Sequence, residues 1–171
     1  MFMINYKINS DQLIPSELAP EIYGFIELLI GSNAYGCYPK SPVPYEGSDL
    51  LSTWFEQLSE NACLLEEHSI VIINDITSYN TWLSFNRIDE DSVEISELLF
   101  DKPDGIQSVI TQPIPEATLG KISNIPVKII DFKREVFTKT SRFLNEVLIS
   151  NPLYRQFPWV IRIQENLSKI I

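Results

Sequence analysis

Ile70-Val71-Ile72-Ile73, Trp82-Leu83-Ser84-Phe85-Asn86-Arg87 and Val93-Glu94-Ile95-Ser96 follow one another closely, and their reading decides the fold. The first run is continuously apolar, the pattern of a strand buried on both faces. The other two mix or alternate apolar and polar residues, as strands with one wetter side do. Asp89-Glu90-Asp91 lies between them, where a hairpin turn belongs. Lys102-Pro103-Asp104-Gly105 has the residue order of a type I turn and leads toward a further strand near 106–112. Three or four strands in succession with short connections predict a mostly antiparallel sheet.

Outward from this centre, residues 2–9 read as a short strand. Pro15-Ser16-Glu17 opens a predicted helix whose apolar face is Leu18, Ile22, Phe25, Ile26 and Leu29, and Gly31-Ser32-Asn33 stops it. Asn33 to Gly47, rich in Pro, Gly and Tyr, reads as an irregular surface loop. Ser48 is the expected N-cap of a second helix over 49–63, with Leu51, Trp54, Phe55, Leu58 and Ala62 inward and Glu56 and Glu60 outward. Pro113 to Pro126 reads as a second irregular connection, and Val127-Lys128-Ile129-Ile130 as a brief strand. A long helix is expected over 132–150, buried along Phe132, Val136, Phe137, Thr140, Phe143, Leu144, Val147 and Leu148. Asn151-Pro152 ends it, and an amphipathic helix near 159–170 closes the chain. With 171 residues and 44% hydrophobic content, the chain reads as one α+β domain spanning 1–171, a mostly antiparallel sheet with packed amphipathic helices.

Charge is distributed unevenly. Met1 to Asp101 holds 17 acidic residues against 3 basic ones, whereas Lys102 to Ile171 holds 6 against 10, within a net charge of −10. A pI near 4.5 argues against direct nucleic-acid binding, which depends on neutralising phosphates, and against docking on anionic lipid. Such a field favours a basic protein partner. No signal-peptide pattern is visible at the N-terminus, and apolar runs fall short of the ~20 residues of a membrane span, so a cytoplasmic protein is expected. Cys37 and Cys63 read as buried free thiols, with a single bridge between them left open.

Signatures of chemistry are sparse. His68 is the only histidine; it excludes a two-histidine metal site and reads as a residue opening the Ile70 strand. The six glycines form no phosphate-binding loop, and Gly-x-Ser-x-Gly is missing. Asp89-Glu90-Asp91 with Glu94 lacks the glycine and the later glutamate of a calcium loop, so a solvated acidic turn is the favoured reading. No catalytic, metal-binding or cofactor-binding residue is assigned. Tyr35, Tyr38, Tyr45 and Tyr79 follow no helical or strand period. They read equally as interface anchors or as loop residues covering the core.

Ser48 to Glu97, with the helix Ser48-Asp49-Leu50-Leu51-Ser52-Thr53-Trp54-Phe55-Glu56, the Trp82 and Val93 strands, and the later helix Asp131-Phe132-Lys133-Arg134-Glu135-Val136, resembles the bacterial immunity proteins of contact-dependent growth inhibition and related polymorphic toxin systems. The resemblance is one of architecture and charge. It implies a cytoplasmic antitoxin that binds and blocks a cognate toxin domain, often a nuclease, without a cofactor. On that reading Asp89, Glu90, Asp91 and Glu94 supply charge, Glu56, Glu60, Glu66 and Glu67 surround them, and Tyr45 and Tyr79 are anchors. The competing expectations are a carboxylate-based hydrolase, which needs two acids with separated pKa values, and an adaptor subunit of a larger assembly.

Overall fold

The structure is a computed structural model, and it describes residues 1–9, 11, 20–39, 47–101 and 107–170. In chain order the elements are β1 (Phe2–Ile8), β2 (Tyr23–Ile30), β3 (Asn33–Cys37), β4 (Asp49–Leu50), α1 (Leu51–Leu64), β5 (Ile70–Asn74), β6 (Thr81–Arg87) and β7 (Ser92–Leu99). β8 (Val109–Ile110), β9 (Thr118–Leu119), β10 (Ile125–Lys128), α2 (Ile129–Ser150), a 3-10 turn (Pro152–Gln156) and α3 (Pro158–Leu167) complete them. All strand pairings are antiparallel and fall into two sheets, so the fold is α+β.

The three runs that open the sequence reading form the centre of the larger sheet, ordered β10-β7-β6-β5-β8 with β9 beside β7. Val71 pairs with Phe85, and Phe85 with Ile95, so these three side chains share one face. Ile72, Ser84 and Ser96 are in register on the opposite face and are buried as well. β5 is therefore covered on both faces, as its continuous apolar run requires, yet within an antiparallel sheet.

The smaller sheet corrects the expected first helix. Ile22, Ile26, Leu28 and Ile30 are buried at a period of two, and β2 hydrogen-bonds β1 in register from Phe2↔Ile30 to Ile8↔Gly24. Helical spacing and strand alternation both fit this stretch locally; pairing with the alternating Phe2, Ile4 and Ile8 decides it. Gly24 is required there, because a Cβ would meet the Lys7 carbonyl oxygen at 2.2 Å. Pro15-Ser16-Glu17 and Leu18 lie outside the described residues.

Other expectations shift in the same direction. Asn33–Cys37, read as loop, pairs with β2 as a strand. Ser48 does not cap α1: its hydroxyl bonds Asn9 and the Gly24 carbonyl, and the helix starts at Leu51 behind the short strand β4. Asp49 and Leu50 complete the β2 edge that β3 leaves free. The strand expected over 127–130 is Ile125–Lys128, and Ile129 and Ile130 already belong to α2. The expected strand near 106–112 is confined to Val109–Ile110, and the 113–126 connection contains β9 and the start of β10. The turn 102–105 lies outside the described residues. Cys37 and Cys63 are free, but Cys37 is exposed and Cys63 half-buried.

α2 joins the layers. Phe132 meets Phe2 of β1 edge-on at 5.0 Å and Phe85 of β6 at 5.1 Å. Phe143 stacks on Phe55 of α1 at 4.4 Å and reaches Tyr6 of β1 and Trp159 of α3. The Phe55–Phe143 and Glu66–Lys133 contacts make α1 and α2 antiparallel. Glu135 of α2 also accepts a 2.8 Å hydrogen bond from the Ile4 backbone N–H, which occupies a free donor of edge strand β1. Phe137 and Leu148, expected in the buried stripe, lie half-exposed at its margins.

Phe143 is fully buried, so Phe143→Ala removes a ring that three elements share and leaves a cavity. The expected loss is about 3–5 kcal/mol, measured by urea unfolding. A loss below ~1 kcal/mol would show that α2 does not bind the layers together.

Candidate functional site

The acidic turn between β6 and β7 is ordered by its own backbone. Ile88 N–H bonds the Ser92 carbonyl at 3.1 Å, and Asp89 accepts the Asp91 N–H at 2.8 Å in an Asx turn. Arg87 closes the turn from below, donating to the carbonyls of Asp89 and Glu90 and to that of Leu65 at the end of α1. Its guanidinium thus binds peptide oxygens and leaves the carboxylates unpaired. Asp89, Glu90 and Asp91 are exposed, and no described cation lies in an ion pair with them or with Glu94. Glu90 and Asp91 nevertheless share a pocket of about 400 Å³ with Lys128, Ile129, Ile130 and Lys133. Two lysines therefore reduce the field on that side.

The other expected acids separate into three situations. Glu67 is exposed beside the turn. Glu66 is held by Lys133, which keeps its carboxyl below the usual range. Glu94 follows inward-facing Val93, so strand alternation places it on the opposite face of the sheet from that core residue.

Glu56 and Glu60 do not look outward into solvent as expected, because α3 packs along that side of α1. Arg162 of α3 binds both carboxylate oxygens of Glu56, through Nε and, at 3.1 Å, through Nη2. Asn166 Nδ2 donates to Ser59, and the Cys63 thiol to the Asn166 carbonyl, so α3 runs parallel to α1 over this face. Glu60 is half-buried, and its pKa is raised above 4.5 by burial first and then by Glu56, against the pull of Arg162. Burial likewise pushes the Cys63 thiol up.

Tyr79, the expected anchor, stands at the far end of the sheet. β6 spans seven residues, about 20 Å at strand rise, and separates Tyr79 from the acidic turn. Here Asp75 organises the β5–β6 connection, accepting the N–H groups of Thr77 and Ser78, each at 3.2 Å. Its second oxygen accepts the Tyr35 hydroxyl, and burial followed by the Asp75 charge pushes that phenol far up. Tyr35 is buried against Trp54, so this tyrosine covers the core. Tyr79 is 81% exposed. Beside it Asn80 accepts the Phe100 N–H at 2.8 Å, and a pocket of about 490 Å³ is lined by Asn80, Leu99, Phe100, Asp101, Glu116 and Thr118. No lysine or arginine lines it. Tyr45 lies outside the described residues.

Asp75, Asp101 and Glu116 were not singled out in the sequence, although the turn-forming order Asp75-Ile76-Thr77-Ser78 marks the first. Only pairing of β6 with β7 brings Asp101 to Tyr79. His68, expected to open the Ile70 strand, lies in the α1–β5 connection, its N–H bonded back to the Leu64 carbonyl at the end of α1. Among the described residues no three His, Cys, Asp or Glu side chains gather as metal ligands, and no helix is long and apolar enough to cross a membrane.

Comparison of the chain with protein-family models, with curated proteins and with solved structures finds no match.

Folded Glu60 binds its proton more tightly than the unfolded chain does. Its contribution to stability is therefore full below about pH 4.5 and is lost as pH rises through the folded value. Glu60→Gln is expected to be more stable than the wild type at pH 7 and indistinguishable from it in acid below the carboxylate range. Urea midpoints across pH 3.5–8 would show this, and a pH-independent difference would refute the assignment.

Proposed function

We propose that this protein is an acidic binding domain that captures a basic protein partner, as a cytoplasmic immunity protein neutralising a toxin domain does, with a nuclease as the expected toxin. One observation carries the reading. Five cations on α2 and α3 are consumed in ion pairs, Lys133, Arg134, Lys139, Arg142 and Arg162, and three of these pairs are internal to α2. Asp89, Glu90, Asp91, Glu94, Asp101 and Glu116 enter no ion pair among the described residues. The helices neutralise themselves and the ends of the larger sheet do not.

A nuclease domain must grip phosphate and is basic for that reason. An acidic inhibitor meets it quickly by steering, and speed matters when a small amount of free toxin is harmful. Tyr79 is the contact anchor in this reading: a large, exposed, amphipathic ring beside the Asp101–Glu116 pocket. The Asp89–Asp91 turn, about 20 Å away along the strand direction, adds to the approach field. Glu56 is committed to holding α3, so it contributes structure, and Glu60 lies half-buried beside it.

Among the described residues, the pair a carboxylate-based hydrolase could draw on is Glu56, clamped by Arg162, with half-buried Glu60 beside it. An adaptor subunit would self-associate. Affinity capture of the tagged chain from its own cells distinguishes these readings. A stoichiometric basic partner, toxic alone and silent in the complex, is expected; capture of copies of the same chain, or substrate turnover without a partner, would overturn the reading.

With the partner in hand, Tyr79→Ala is expected to weaken binding by about 2 kcal/mol, roughly thirtyfold in Kd, mostly through faster dissociation. Neutralising Asp89, Glu90, Asp91 and Glu94 together should slow association several-fold at low salt and leave dissociation nearly unchanged. Surface plasmon resonance at two ionic strengths separates the two effects. Unchanged kinetics in both variants would reject this placement of the interface.

A further inference from the structure

α1 carries a buried polar seam toward β5 that plays no part in the acidic surface. Trp54, Gln57 and Asn61 lie at i, i+3 and i+7, within about 60° of one another around a helix of 3.6 residues per turn. They are 3%, 2% and 0% exposed. Two bonds aim this stripe at the larger sheet: Gln57 Oε1 accepts the Asn74 backbone N–H at 2.8 Å, and farther along the helix the Leu65 carbonyl accepts Arg87 Nη1 at 3.3 Å.

Within the seam Trp54 Nε1, Gln57 Nε2 and both amide atoms of Asn61 are closed to solvent and make no hydrogen bond to the described residues. Buried polar groups of this kind are as a rule partnered, because an unmet donor or acceptor forfeits its hydration without return. Neighbours on the same helix, Leu58 and Ala62, are apolar and fully buried, so a polar stripe here is specific to these positions.

The inventory identifies the ligand. Trp54 and Gln57 offer only donors at these atoms, and Asn61 offers a donor and an acceptor. A species that meets them must be able both to accept and to donate and must be small and uncharged, since no ionised side chain is among the four atoms' owners. Water meets these terms, as it does in buried polar sites generally. At a rise of about 1.5 Å per residue, Trp54 and Asn61 are about 10 Å apart along the axis, beyond the reach of one bridging molecule.

We propose that the α1–β5 seam is an internal hydration site holding at least two ordered waters, one accepting from Trp54 Nε1 and Gln57 Nε2, and one on the Asn61 amide. Oxygen-17 magnetic relaxation dispersion on the full chain counts long-lived internal waters. Asn61→Leu, its fold checked by circular dichroism, is expected to lower the dispersion amplitude by one water. An unchanged amplitude in the folded variant would overturn the proposal. If that variant does not fold, a crystal structure of the unaltered chain at atomic resolution decides. Water density within hydrogen-bond reach of both Trp54 Nε1 and the Asn61 amide supports the site. A direct Gln57–Asn61 side-chain bond, or a seam without water, rejects it.

Discussion

The stack of Phe143 on Phe55, with Phe132 about 16 Å nearer the start of α2 wedged between Phe2 and Phe85, is the constraint from which the rest of the architecture follows. Two antiparallel sheets that share no ladder cannot bury their inner faces against each other through hydrogen bonds. They need a common apolar partner, and the rings along one stripe of α2 supply it. Once α2 is seated there, Glu135 reaches the free edge of β1, Lys133 reaches Glu66 at the end of α1, and Trp159 brings α3 onto the same aromatic group.

Seating α2 and α3 in this way also determines which charges remain available. Ion pairs along a helix face and between packed helices form wherever opposite charges fall within reach, and they consume most of the helical cations. At the sheet ends Asp75 and Asp89 sit on turns and accept the backbone N–H groups of those turns, which fixes the two carboxylates in place. The sided charge of the molecule is thus a consequence of packing as well as composition, and it supports the reading of the chain as a binder of basic protein.

Much of the fold was legible locally. The runs at 70–73, 82–87 and 93–96 form neighbouring strands, and the stripe from Phe132 to Val147 forms one helix, because side-chain periodicity records the face an element buries. The stretch 22–30 misled because Ile22, Phe25, Ile26 and Leu29 satisfy a helical period while Ile22, Ile26, Leu28 and Ile30 satisfy a strand period. Ser48 misled because an N-cap residue type is also a good partner for a strand end. Of the candidate site, the charge of the turn and the freedom of Tyr79 were foreseeable. The clamping of Glu56 by Arg162, 106 residues away, was not.

By itself, then, the sequence determined the element types with strong periodicity, the excess of acid in its first hundred residues and the absence of familiar phosphate or nucleophile motifs, all of which are properties of neighbouring residues. Tertiary structure alone decided that 22–30 pairs as a strand, that Tyr79 and the Asp89–Asp91 turn stand at opposite ends of one sheet, and that Glu56 serves α3. Each of these depends on a partner distant in the chain, and no local pattern encodes which distant residue will be within 3 Å or so once the layers close.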